Sequence, residues 1–198
     1  THSRYVVDLN RDREGQSLYD GDPDPGLCPL LRFDGEPVYL PGGEPTEAEI
    51  DARRARWWDP YHDDLAQLVS DTKARCGHVV LPDPPSVRRE LPSRFAGRLP
   101  DFNLGTCDGE ACAPSLQMAV ENVLAVSGAS YGVNDRFKGG YTTELYGQPK
   151  RHLNALQLEL VQDCYLDEDE PGRWTPAHPQ AQKIGPSLRK LIDVLVAW

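Results

Sequence analysis

A chain of 198 residues is long enough to bury one sizeable core, and its length does not demand a second domain. Thirty-one Asp and Glu against 21 Lys and Arg give a formal net charge of −10, which repels a phosphate backbone and excludes nucleic acid as the expected partner. No stretch approaches the roughly 18 apolar residues that cross a bilayer, so a soluble protein with no membrane partner is expected.

The chain opens on "RYVVDLNR", whose β-branched and aromatic residues from Tyr5 to Leu9 predict a strand ending in a polar cluster. A core strand at the very start suggests that N-terminal structure precedes Thr1. Residues 12–45 are rich in Gly, Pro and Asp and read as an ordered, irregular excursion, because Leu27, Leu30, Leu31, Phe33, Val38 and Tyr39 need a surface to pack on.

"TEAE" at Thr46–Glu49 is a capping-box pattern. After it Ile50, Trp57, Tyr61, Leu65, Leu68, Val69 and Thr72 recur at helical spacing up to Gly77, with Pro60 expected to kink or divide the helix. "HVVLPD" predicts a strand, "PSLQMAVENVLAVSG" a helix with Pro114 near its start and Gly128 past its end, and "NALQLEL" a further strand. From Ser187 onward Leu188, Leu191, Ile192, Leu195 and Val196 form the stripe of a helix packed on a sheet. Alternating strands and helices predict a single α/β layered domain over residues 1–198. The acidic "DEDE" at Asp167–Glu170 reads as a solvated loop.

Five cysteines, Cys28, Cys76, Cys107, Cys112 and Cys164, are an odd and irregular set in a chain too large to need staples, so reduced thiols and a cytoplasmic location are expected. Cys107 and Cys112 lack the second pair that a zinc ribbon requires. The histidines His2, His62, His78, His152 and His178 form no His-x-x-x-His ligand pattern and read as structural or surface residues.

In open α/β sheets ligands gather beyond the carboxyl ends of strands. Three such ends carry polar residues: Asp8, Asn10 and Arg11; Asp83, Ser86 and Arg88; and Glu159 within "ALQLELV". An Asn–Arg pair can grip a carboxylate through the planar, two-pronged guanidinium, or Arg11 can serve a structural pair with Asp8. Glu159 lies between Leu158 and Leu160; strand alternation places it with Gln157 on the face opposite those leucines. That face is either a polar surface or a buried one, where a carboxylate would be paired, metal-linked or tuned for proton transfer. "GRLPDFNLGT" and "NDRFKGGYTTELYG" combine Gly with polar residues where backbone must approach something closely, or where turns are hydrogen-bonded. "FKGGY" lacks the ending of a phosphate loop.

Five ordered stretches, "SRYVVDLNR", "GLCPLLRFDGEPVY", "GRLPDFNLGT", "RFKGGYTT" and "ALQLEL", resemble the N-formylglutamate amidohydrolase family across nearly the whole chain. The resemblance implies an α/β/α fold with a mixed sheet, similar to zinc carboxypeptidases. It also implies hydrolysis of N-formyl-L-glutamate to formate and glutamate in histidine breakdown, with Zn2+ as the expected cofactor. Within it Glu159 matches the catalytic carboxylate, Asn10 and Arg11 match a strand-end pair that would hold the substrate's carboxylate, and Arg88 lies in the loop beside the metal. A zinc-bound water would attack the formyl carbon while Glu159 moves its proton toward the leaving amine.

The chain departs from the family pattern at three positions where the family tends to carry histidine. Asp83-Pro84-Pro85-Ser86-Val87-Arg88 stands where the family resembles Asp-Ala-His-Ser-Ile-Arg, and Glu144, Leu145 and Asn154 stand where it tends to carry Arg-His and a further His. No metal ligand is assigned on this reading. A carboxylate-binding or scaffold homologue without catalysis is the alternative expectation, and Pro85 with Asn154 is the feature that favours it.

Overall fold

The computed structural model describes residues 2–16, 26–92, 94–166 and 179–198. They form two compact units, one of Thr1–Gly77 with Leu91–Arg94 and one of His78–Glu90 with Phe95–Trp198. The acidic Asp167–Glu170 loop and His178 lie outside the described residues.

In the first unit the strand expected over Tyr5–Leu9 does not form; the segment runs through successive turns. Its backbone-to-backbone bonds are mostly local, Val6 N–H to the Ser3 carbonyl at 3.0 Å and Arg11 N–H to Asp8 at 3.2 Å, with a longer link from Asp8 N–H to Leu27 at 2.7 Å. Strand propensity describes a fit to a pleated neighbour, and one bond to Leu27 is not a ladder. Val7 and Asp8 are nonetheless buried.

The expected long helix is present in three parts: α1 (Glu47–Arg53), a π-helical turn (Arg54–Trp58) and α2 (Asp59–Cys76). Thr46 caps α1 by accepting from Glu49 N–H at 3.3 Å, and Gly77 ends α2 at φ 80°. Pro60 explains the division. It offers no N–H and its ring would clash with the carbonyl four residues back, so the chain widens ahead of it and starts α2 afresh with Pro60 in the first turn. The apolar stripe is narrower than its spacing suggests: Trp58 and Val69 are buried, whereas Leu68 is 60 % exposed.

The second unit is built on a mixed sheet. Its strands are β1 (Val79–Asp83), β2 (Ser86–Val87), β3 (Phe102–Gly105), β4 (Tyr131–Val133) and β5 (Leu153–Val161), in the order β1-β5-β3-β4 with β2 also on β5. β1 and β2 run parallel to β5 along one side of it, β3 runs antiparallel on the other, and β4 is parallel to β3. The "LPDPPS" stretch is therefore a single edge strand interrupted by Pro84 and Pro85. An edge tolerates the missing donors, and the Pro85 carbonyl still accepts from Leu160 N–H at 3.1 Å.

One face of the sheet is apolar. Phe102, Leu104, Leu156 and Leu158 pack with Leu116, Val120, Val123 and Leu124 of α3 (Pro114–Ala125), and with Ile184 and Leu191 of the C-terminal helix Pro179–Ala197. Each such side chain contributes about 1.5–3 kcal/mol when fully buried, so this cluster holds the unit together. The C-terminal helix begins ahead of the expected Ser187, with Pro186 inside it. Its packed stripe is Ile184, Leu188, Leu191 and Leu195, while Ile192 and Val196, expected to be buried, are 60 % and 82 % exposed. A helix touching a sheet on one line buries a narrower arc than periodicity alone admits. α4 (Tyr141–Tyr146) packs against β5 and β1. We label the C-terminal helix α5. The architecture is α/β, as the alternation of elements predicts, with the mixed sheet that the family resemblance implies.

Candidate active site

The second face of the sheet is polar and buried. Alternation along β5 puts Gln157 and Glu159 together, and the antiparallel register sets Asn103 opposite Glu159 and Gly105 opposite Gln157. Parallel pairing sets Asp83 beside Gln157. Asn103, Gln157 and Glu159 retain only 2 %, 5 % and 6 % exposure. Of the two readings of Glu159, the buried one holds.

The Gln157 amide Nε2 donates to Glu159 Oε2 at 2.8 Å. The Asn103 amide Nδ2 donates to the Pro100 carbonyl at 3.3 Å. Among the described residues, three buried oxygens then have no hydrogen-bond partner: Asn103 Oδ1, Gln157 Oε1 and Thr143 Oγ1. A buried acceptor left unpaired costs about 1–3 kcal/mol. Asn103 stands opposite Glu159 and Gln157 two residues before it on the same strand, so two of these three unpaired oxygens belong to the neighbours of the carboxylate.

The two glycine-containing stretches meet at this face. Gly105 of "FNLGT" has no side chain, and the Lys138–Gly139 backbone of "RFKGGY" crosses directly over it; a Cβ there would stand 2.5 Å from Gly139 N and 2.6 Å from the Lys138 carbonyl carbon. Cys107 N–H bonds the Lys138 carbonyl at 2.6 Å and fixes the crossing. Gly139 adopts φ 136°, and a Cβ on it would stand 2.9 Å from Cys107 Sγ and 3.2 Å from Thr143 Cγ2. Close backbone approach, rather than a phosphate cradle, is what those glycines provide. Beside them Asn134 Oδ1 accepts from Thr106 N–H at 2.7 Å and its Nδ2 donates to Thr106 Oγ1 at 2.8 Å, pinning the end of β3.

The remaining site residues divide between the units. Glu159 and Arg88 belong to the second, where Arg88 follows β2 and is exposed. Asn10 and Arg11 belong to the first. There Asn10 N–H donates to Asp8 Oδ1 at 3.1 Å, Arg11 Nη1 donates to the Asn10 carbonyl at 2.9 Å, and the Arg11 carbonyl accepts from Trp58 Nε1 at 3.0 Å. Arg11 stands 3.9 Å from the buried Asp8 carboxylate, which Arg4 also contacts. Sequence reading missed Asn103 and Thr143. For Asn103 a signal existed: it stands between Phe102 and Leu104 as Glu159 stands between Leu158 and Leu160, and antiparallel pairing of two such strands brings the polar residues face to face.

The ligand-type residues that cluster among the described residues do not fit a zinc ion. Among the described histidines His62 is buried, with Nε2–H on the Leu9 carbonyl at 2.9 Å and its ring against Trp58, while His2, His78 and His152 are exposed. Asn154, at one family histidine position, spends its amide on backbone, accepting from Ala113 N–H at 2.9 Å and donating to the Val79 carbonyl at 3.4 Å. Among the described residues, three acidic or thiol groups converge at Asp101, Asp163 and Cys164, with ligand atoms within 4.8 Å of one another. Arg89 occupies both carboxylates, with Nη2 at 2.6 Å from Asp101 Oδ1 and 2.6 Å from Asp163 Oδ1. Burial, reinforced by the Asp101 and Asp163 charges, pushes the Cys164 thiol up to about 12. Zinc there would have to displace a guanidinium that holds both carboxylates, so the cluster is an ion-paired lock rather than an open ligand set. No helix among the described residues is long and apolar enough to cross a membrane.

A sequence model of the N-formylglutamate amidohydrolase family matches residues 1–166. The N-formylglutamate deformylase of Pseudomonas aeruginosa is 42 % identical over 198 residues, covering 100 % of this chain and 73 % of the relative. That of Pseudomonas putida is 39 % identical over the same span, again 73 % of its own length. Among solved structures, the N-formylglutamate amidohydrolase of Ralstonia eutropha superimposes with a TM-score of 0.79 at 26 % identity, over 96 % of this chain and 73 % of that one. With a family match running across both units and relatives aligned along the whole chain, this chain belongs to the N-formylglutamate amidohydrolase family.

Proposed function

We propose that the chain hydrolyses the formyl amide of N-formyl-L-glutamate, releasing formate and glutamate, with Glu159 as the group that moves the proton. The identity to deformylases along the whole chain supports the reaction class. The observation that carries the role of Glu159 is its position: a carboxylate 6 % exposed, gripped by Gln157 and set opposite Asn103 on a polar sheet face.

The balance of the reaction defines what Glu159 does. Water oxygen bonds to the formyl carbon, the carbon–nitrogen bond breaks, and the proton taken from water passes through Glu159 to the departing nitrogen. Arg88 is the second unit's candidate for countering charge on the formyl oxygen. Asn10 and Arg11 are the first unit's candidates for the substrate's carboxylate, since a guanidinium meets that group with paired, parallel donors. The same reading sets the reaction in the cytoplasm, in histidine breakdown; five free thiols support a reducing compartment. Zn2+, which the family resemblance implies, has no fitting ligand set among the described residues.

The test is formate release from N-formyl-L-glutamate, followed with zinc content by elemental analysis. Turnover by the parent chain and a loss of about a hundredfold or more in Glu159→Gln are expected. A parent that releases no formate, or a Glu159→Gln variant as fast as the parent, would overturn the reading.

A further inference from the structure

Glu159, if it carries a proton from water to nitrogen, changes protonation state twice in each turnover, and it does so almost entirely out of water. A buried carboxyl tolerates both states only when each finds a hydrogen-bond partner. The orientations of its two neighbours are fixed by chemistry. An ionised carboxylate only accepts, so the Gln157 amide must turn its nitrogen toward Glu159, at 2.8 Å, which leaves Gln157 Oε1 without a donor. Asn103 is anchored by its nitrogen to the Pro100 carbonyl, which leaves Oδ1 as its other polar atom, buried and unpartnered. Asn103 is the register partner of Glu159, and directly opposed residues hold their Cβ atoms about 5 Å apart.

An acceptor oxygen opposite an ionised carboxylate has no proton to receive; opposite a carboxylic acid it has one. We propose that Gln157 and Asn103 are positioning residues serving the two states of Glu159: the Gln157 amide nitrogen holds the carboxylate, and the Asn103 amide oxygen accepts the hydrogen bond of the acid. This rests on the hydrolase reading above. Charged groups on the neighbouring elements of the second unit include Asp83, paired in register with Gln157, Arg88 just after β2, Lys138, whose ammonium lies 2.8 Å from Asp108, and the exposed Glu144 of α4. The variants below leave all of them in place.

The experiment compares the parent with Gln157→Met and Asn103→Leu, which keep shape and remove the polar ends, by the pH dependence of kcat for formate release. Removing the partner of the ionised form should move the acidic limb to higher pH; removing the partner of the acid should move it to lower pH. In each variant kcat at the parent's optimum should fall about tenfold with KM within about twofold, and in a Glu159→Gln background neither substitution should lower the rate further. A purely structural role predicts no opposite displacement. Should Asn103→Leu fail to fold by circular dichroism, Asn103→Ser, whose shorter oxygen cannot reach Glu159, carries the same expectation. Limbs that move together or stay fixed in an active chain overturn this inference alone, whereas a parent without formate release overturns the hydrolase reading and this inference with it.

Discussion

Gly105 and Gly139 touch backbone to backbone: a side-chain carbon on Gly105 would stand 2.5 Å from the nitrogen of Gly139. No real Cβ tolerates that contact, and the obstructing atoms are main chain. Gly105→Ala should therefore cost about 1–3 kcal/mol, read from urea unfolding. Gly132, the β4 neighbour of Asn103, is the control. A Cβ there meets nothing closer than 3.6 Å, so Gly132→Ala should stay within about 1 kcal/mol of the parent. Equal costs at the two positions would contradict the crossing of Lys138–Gly139 over β3.

Arg89 ties the end of β5 to the start of β3 through Asp163 and Asp101. Arg89→Met should lower stability at neutral pH by about 1–3 kcal/mol, below the full value for buried pairs because the carboxylates keep 24 % and 33 % side-chain exposure. The acid dependence should change with it. Burial alone would raise the Asp101 carboxyl, but the Arg89 guanidinium and the Ser130 donors outweigh it and hold the group below the usual carboxylate range. Its contribution is therefore present above about pH 4 and is lost as pH falls through the lower folded value. Removing Arg89 should flatten that fall in stability, measured by denaturant unfolding from pH 5 downward.

Thiol chemistry should be selective. Burial raises the Cys28 thiol, pushes Cys107 and Cys112 up to about 11 and Cys164 up to about 12, while Cys76 at the end of α2 is exposed. Attack requires thiolate, so iodoacetamide at neutral pH should modify Cys76 about a hundredfold or more faster than Cys107, Cys112 or Cys164. Peptide mass mapping over time reads the order directly. Fast loss of Cys164 would show that the Arg89 cluster opens readily.

His62 should make stability fall on mild acidification. Burial against Trp58 lowers its pKa, with the hydrogen bond to the Leu9 carbonyl opposing in part. The unfolded chain then takes up the proton first, near pH 6.5, so the contribution is full above that value and declines below it. His62→Gln keeps a donor for Leu9 and removes the titration. The variant should lose less stability than the parent between pH 7 and pH 5 in urea titrations, and parallel curves would place the acid sensitivity elsewhere.

Much of the element order is legible in the sequence because its signals are local. Thr46 with Glu49 announces the first helix, Pro60 its division, Pro114 and Gly128 bracket α3, and "NALQLEL" reads as a strand, which the structure extends by one residue at each end; each holds in the structure. Family membership is legible too, since ordered stretches along the chain carry it, and it agrees with the relatives found. Glu159 stands out as a carboxylate among leucines, and alternation alone puts Gln157 on its side of the strand.

What needed the folded chain is everything that depends on a partner distant in sequence. Tyr5–Leu9 has strand composition but forms turns, because among the described residues no second strand pairs with it. Ile192 and Val196 sit at helical spacing yet stay exposed, because the width of contact with the sheet is a property of two surfaces. The opposition of Asn103 and Glu159 requires the antiparallel register of β3 on β5, and no local periodicity specifies a register between strands so far apart in the chain. Propensity and alternation act over a few residues and are written in the chain itself; pairing, burial and the orientation of a side-chain amide are set by what arrives from elsewhere.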